Sequence, residues 1–141
     1  MRSVIIRCFI LLGLLLPVLV SAQTQTLPPG WSMVGNDTGS AIDAIATFGN
    51  ATKQTAISSS VTTVWTWNNS LSRWNFFSPS LNAQDLSSYA TSKGYGVLSS
   101  ITKGEGFWVN AKNQICIHQQ HRLERLPLIL RHCKGVIVTH L

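Results

Sequence analysis

Between Val61 and Phe77 two runs of β-branched and aromatic residues flank a short polar break, Asn68-Asn69-Ser70. Such side chains fit a pleated surface, and Asn and Ser supply turn chemistry, so the stretch specifies a β-hairpin. Side chains alternate along a strand. Val61, Thr63, Trp65 and Trp67 are therefore expected on one face, and Thr62, Val64 and Thr66 on the other. If Trp67 faces Trp74, then Trp65 faces Phe76, giving two aromatic cross-strand pairs on one side of the hairpin. Each such pair adds about 0.2–1 kcal/mol. Pro79 stops the return strand, because proline brings no N–H to a ladder.

The other elements follow from breakers and periodicity. Gln23 to Pro29 reads as a lead-in ending in the breaker cluster Pro28-Pro29-Gly30. Trp31 to Gly35 alternates large and small side chains and reads as a short strand. Ser40 is placed to cap a helix from Ala41 towards Phe48, with Asp43 completing a capping box and Ile42, Ile45 and Ala46 on one face. Gly49 ends it. A second short helix is expected over Asp85–Lys93, with Leu86, Tyr89 and Ala90 together and Gly94 at its end. Tyr95 to Ile101 is expected to be extended, and a turn at Lys103–Gly106 feeds a last strand, Phe107–Asn110. Strands and short helices alternate without a long βα rhythm. The expected class is α+β: a small antiparallel sheet with one or two short helices.

Charge divides the chain into three. Residues 1–22 carry +2, residues 23–112 carry +1 and residues 113–141 carry +3. The first segment has Arg2 and Arg7, a 13-residue apolar run from Cys8 to Val20, and Val20-Ser21-Ala22. That is the pattern of a cleavable signal peptide, cut between Ala22 and Gln23. The run is too short for a transmembrane anchor, which needs roughly 20 apolar residues. The protein is thus expected to be secreted, or held in the periplasm or at the cell surface, with no stable membrane span after cleavage. Residues 23–112 hold all five Trp, no Cys and no His, and 25 of these 90 positions are Ser or Thr. Such a domain depends on packing rather than disulfides.

From Asn113 the composition changes abruptly. All four His and two of the three Cys fall in the last 29 residues, and Ser disappears. We read residues 113–141 as an atypical basic tail, which is either a genuine extension or the out-of-frame product of a frameshift near Lys112. Cys116, His118, His121, His132 and Cys133 are metal-ligand types, but their spacing fits no common structural zinc pattern. No metal and no cofactor are expected. Cys116 and Cys133 either pair in an oxidising compartment or are incidental thiols; spacing does not choose between them. Arg122 to Arg131 has a basic-amphipathic look that Pro127 interrupts, so a poorly ordered tail is expected there.

Three pieces carry a resemblance. They are Gly30-Trp31-Ser32-Met33-Val34-Gly35-Asn36, then Val64-Trp65-Thr66-Trp67-Asn68 with Trp74 and Phe76, then Gly104-Glu105-Gly106-Phe107-Trp108-Val109-Asn110-Ala111. In this order, over residues 30–111, they resemble a small Trp-rich module of exported and cell-surface bacterial proteins. The resemblance implies a secreted accessory module whose partners are other extracellular domains or surface components. It brings no catalytic residues.

The residues themselves say little for catalysis. The domain has four acids, Asp37, Asp43, Asp85 and Glu105. Asp37 and Glu105 lie in turns and could meet, but Asp43 is explained as a helix cap. The domain has no His to serve as a base for a nucleophile, and Gly104-Glu105-Gly106 lacks the spacing of a phosphate loop. No enzyme is expected. A domain charge of +1 offers nucleic acid no phosphate-tracking patch. Polysaccharide is the alternative partner, because Trp65, Trp67, Trp74 and Trp108 are dense enough for a sugar-stacking platform. In so small a domain most of these indoles are expected in the core, with the Trp65/Trp67 face buried. Trp108 points outwards if Phe107 and Val109 point inwards; the opposite assignment is open. Exposed indoles favour carbohydrate binding and buried ones a purely structural module.

Overall fold

The computed structural model describes residues 23–119 and 129–132, with side chains from Gln25 to Cys116. The proposed signal peptide, His121, Cys133, His140 and most of the basic-amphipathic stretch lie outside the described residues, as do the side chains of His118 and His132. Among the described residues no helix is long and apolar enough to cross a membrane.

Among the described residues ten strands and two helices follow one another: β1 (Gln23–Leu27), β2 (Gly30–Gly35), β3 (Ile42–Asp43), α1 (Ala44–Phe48), β4 (Val61–Asn68), β5 (Arg73–Phe77), α2 (Ala83–Ser92), β6 (Gly96–Val97), β7 (Ser100–Ile101), β8 (Gly106–Ala111), β9 (Ile115–Gln119) and β10 (Ile129–His132). The central sheet has the order β2-β8-β4-β5-β6. A three-stranded sheet, β1-β9-β10, and a two-residue pairing, β3-β7, complete the domain. The domain is sheet-rich with two helices, and its central sheet is mixed rather than antiparallel, because β6 runs parallel to β5. Parallel neighbours need a crossover between them, and α2 supplies it.

The hairpin has the register its sequence specifies: Trp67 opposes Trp74 and Trp65 opposes Phe76. Asn68 accepts the Leu71 N–H through Oδ1 at 3.0 Å and so closes the turn. Val61 departs from simple alternation. Opposite β8 the register slips between Val61 and Thr63, so that Val61 opposes Ala111 and Thr63 opposes Asn110. This is a β-bulge, which puts one extra residue in one strand and reverses its phase. Val61 therefore joins Val64 and Thr66 on the buried face, and the Trp residues keep the other.

Phe48, Phe77, Phe107, Val64 and Val109 form the centre of the core. Phe48 brings α1 onto the sheet, with its ring 6.3 Å from Phe77 and 6.4 Å from Phe107. The helix starts later than the capping-box reading places it. Its N-cap is Asp43, which accepts the Ala46 N–H at 2.7 Å, while Ile42 is drawn into pairing with Ile101. The buried positions become Ala44 and Phe48, and Ile45 is left exposed. Gly49 ends α1 at φ 77°, where any Cβ would meet the Ser58 hydroxyl and the Lys53 carbonyl, so only glycine fits. α2 is capped by Asn82, whose side chain accepts the Asp85 N–H at 2.9 Å, and it buries Leu86 and Ala90.

Gln23 to Leu27, expected as a lead-in, forms a strand against β9. Leu27 and Ile115 are both buried in the core. Ile115 lies three residues beyond the composition boundary at Lys112, so the core extends into the segment whose composition is atypical. Cys116 is disulfide-bonded; the chain's other cysteines, Cys8 and Cys133, lie outside the described residues.

Asn36 ties the end of β2 to the β7–β8 turn. It is 1% exposed, and its Nδ2 donates to the carbonyls of Ser40 at 2.8 Å and of Ile101 and Thr102 at 3.0 Å. Its backbone N–H donates to the Glu105 carbonyl at 2.9 Å, and its carbonyl accepts the Gly104 N–H at 2.7 Å.

Candidate functional site

Alternation in β2, β4, β5 and β8 sends one set of residues to the core and the other to the opposite face of the central sheet. The ladder carries one row across all five strands: Met33, Trp108, Trp65, Phe76 and Val97. Trp31 stands beside this row, opposite Asn110, and the Trp67–Trp74 pair flanks it on the other side. Phe107 and Val109 point inwards and Trp108 points outwards.

The Trp65/Trp67 face is therefore the outer face, contrary to the expectation that it would be buried. Trp31 is 58% exposed, Trp67 46%, Trp74 38% and Trp108 37%. Only Trp65 of the five is half-buried. The physical reason is that the phenylalanines, not the tryptophans, fill the inner face. Phe48, Phe77 and Phe107 bring no N–H that needs a partner, and they leave the larger indoles to the other side.

Trp65 is the hub of this surface. Its ring centroid lies 4.8 Å from Phe76, 5.0 Å from Tyr95 and 6.4 Å from Trp74. The Tyr95 and Trp74 contacts are edge-to-face, at 82° and 87°, the arrangement that ring quadrupoles favour. Trp74 meets Trp67 edge-on at 5.3 Å. Tyr89 of α2 lays its ring 5.0 Å from Phe76 and helps to bury it. Three ring contacts thus brace the Trp65 indole, and two brace that of Trp74. The Trp65 Nε1 and Thr63 Oγ1 atoms are buried in this assembly without a hydrogen-bond partner among the described residues.

Trp31, Trp65, Trp74, Tyr95 and Trp108 line a shallow cleft of about 300 Å³. Three of the four proposed site residues, Trp65, Trp74 and Trp108, thus come together in one cleft. Trp67 stands beside them through its contact with Trp74. Trp31 and Tyr95 complete the lining beyond the four residues expected from the sequence. The alternation of Trp31-Ser32-Met33-Val34 held the signal for Trp31, since it puts Trp31 and Met33 on one face and Val34 on the other. Tyr95 had no such signal, because it enters from the α2–β6 connection.

The acids are occupied locally. Asp43 caps α1. Asp85 accepts from Asn82 Nδ2 at 2.8 Å, and Glu105 Oε2 accepts the Thr102 N–H at 2.7 Å. Asp37 is exposed in its turn. Among the described residues no three metal-ligating side chains converge. No family model, no curated protein and no solved structure matches the chain.

Proposed function

We propose that the chain is an exported, non-catalytic accessory module of the bacterial cell surface or secretome, and that it binds carbohydrate through the aromatic face of its central sheet. The observation that carries the reading is the exposure of Trp31, Trp67, Trp74 and Trp108 on one face around a common cleft. A small domain that keeps four of its five indoles at the surface forgoes part of their burial, worth roughly 1.5–3 kcal/mol for a large apolar side chain. Large apolar surface rimmed by polar groups marks an interaction site. Flat rings with a polar N–H suit a partner that offers both C–H faces and hydroxyls.

The low charge of residues 23–112 argues against nucleic acid. Local engagement of Asp43, Asp85 and Glu105 favours the non-catalytic reading. Export rests on the leader pattern of residues 1–22 and on the resemblance of residues 30–111 to exported modules. A second reading keeps the module but makes its partner another extracellular domain laid on the same face, since Met33 adds an exposed apolar side chain beside Trp108.

Retention on insoluble polysaccharides tests the carbohydrate reading. The processed chain is expected to be held by at least one of a set of neutral polymers, with Trp108→Ala and Trp31→Ala each weakening retention about tenfold, or 1.4 kcal/mol. Absence of retention on every polymer tested, with an intact fold, leaves the protein-partner reading in its place. Fractionation of expressing cells tests export: the chain is expected outside the cytoplasm, beginning at Gln23.

A further inference from the structure

We infer that the aromatic cleft is one half of a longer site, and that the whole site takes an extended, uncharged oligosaccharide chain rather than a single terminal sugar. The inference rests on the carbohydrate reading and specifies its ligand. The second half is a groove of about 520 Å³ where the β4–β5 hairpin meets the β7–β8 turn. Trp67, Asn68, Asn69, Asn75, Thr102 and Lys103 contribute to its lining. Trp67 joins the two halves: it lines the groove, and its ring lies 5.3 Å from that of Trp74, which lines the cleft.

The halves differ in the chemistry they offer. The cleft presents ring faces and edges, which cover the C–H faces of a pyranose. The groove presents side-chain amides and hydroxyls. An Asn side chain both donates and accepts, which matches hydroxyls that do the same. A chain of sugars carries both kinds of surface along its length, whereas a single sugar would leave one half of the site unused. The groove also specifies charge. It contains one cation, Lys103, and one anion, Glu105, so a polyanion finds no row of basic groups to follow.

Its wall is built before any ligand arrives. Glu105 Oε2 holds the Thr102 N–H at 2.7 Å, and buried Asn36 fixes residues 101–105 through side-chain and backbone hydrogen bonds. A preformed wall reduces the ordering cost of binding. Filling two adjoining half-sites with one ligand makes the second contact intramolecular, so affinity should grow with chain length until both are filled.

Calorimetric titration of the processed chain, residues 23–141, with neutral β-linked gluco-, xylo- and N-acetylglucosamine oligomers, from disaccharide to hexasaccharide, tests the inference. For at least one series, affinity is expected to rise about tenfold or more with length, then level off. The double variant Asn69→Ala/Lys103→Ala changes two exposed groove side chains, so its melting temperature should match the parent's. It is expected to flatten the length dependence and leave the shortest oligomer unchanged. Trp108→Ala should weaken every length alike. Affinity that is flat with length, a groove variant with the parent's profile, or tighter binding of heparin or polygalacturonate overturns the extended neutral chain while leaving carbohydrate binding in place. Binding to no glycan, charged or neutral, overturns the carbohydrate reading and this inference with it.

Discussion

Thr63 and Asn36 are two polar residues in opposite circumstances. The Thr63 hydroxyl is buried without a partner among the described residues, and an unpaired buried group costs roughly 1–3 kcal/mol. Valine has nearly the same shape and equal liking for a strand. Thr63→Val is therefore expected to raise stability by about 1 kcal/mol, seen as a higher urea midpoint at unchanged m-value. Asn36 is buried with its amide donating to three carbonyls. Asn36→Ala should lower stability by about 3 kcal/mol, since several buried partners are left unpaired. Asn36→Asp should cost at least as much, because it turns an acceptor towards those carbonyls; a midpoint close to the parent's would show that the network contributes little. Neither role could be read from the sequence. Thr63 reads as one more alternating strand residue, and Asn36 as part of a polar turn. Their circumstances come from Ile101, Thr102 and Asn110, which are far away along the chain and reach them only in the fold.

The hairpin was the most legible element, because its pairing is local and aromatic residues at both ends fix a single register. Its energetic content is open to a double-mutant cycle. Trp67 and Trp74 meet edge-to-face at 5.3 Å, and aromatic pairs of this geometry couple by about 0.5–1.5 kcal/mol beyond their burial. The sum of the losses in Trp67→Ala and Trp74→Ala should exceed the loss in the double variant by about 1 kcal/mol, measured by urea denaturation. A coupling near zero would mean that the pair lies side by side without supporting each other. Elements settled by distant contacts were less legible. The bulge that turns Val61 inwards depends on how β8 lies along β4, and nothing in residues 61–67 announces it. α1 starts at Ala44, after its cap Asp43, because Ile42 is paired with Ile101 and buried instead of lying in a first helical turn. Both shifts are tertiary contacts overriding local preference. For the candidate site, alternation revealed which residues share a face. Which of the two faces is outside was settled by the phenylalanines of α1, β5 and β8, which take the inner one.

Composition places the end of the domain at Lys112, and the core takes in Ile115 beyond it. Ile115 is fully buried, Leu27 nearly so, and they are register partners at the end of the β1–β9 pairing. A chain ending at Lys112 loses Ile115 outright and uncovers Leu27. Each side chain contributes roughly 1.5–3 kcal/mol when buried, so the truncation should cost about 3 kcal/mol or more of the 5–15 kcal/mol a domain typically has. A chain ending at Gln119 keeps β9 and should recover most of that difference. Urea unfolding of 23–112, 23–119 and 23–141 separates the possibilities. Equal midpoints for all three would show that β1 and β9 add nothing and that the composition boundary is the physical one. A drop confined to 23–112 would make Ile115 a working part of the core, whatever the origin of the segment that carries it. The frameshift proposal is decided independently by sequencing across the Lys112 codon. If the frame is broken there, the restored continuation must supply its own apolar residue against Leu27. The same unfolding measurement on that restored chain would show whether it does, since a polar linker would leave Leu27 as exposed as the truncation does.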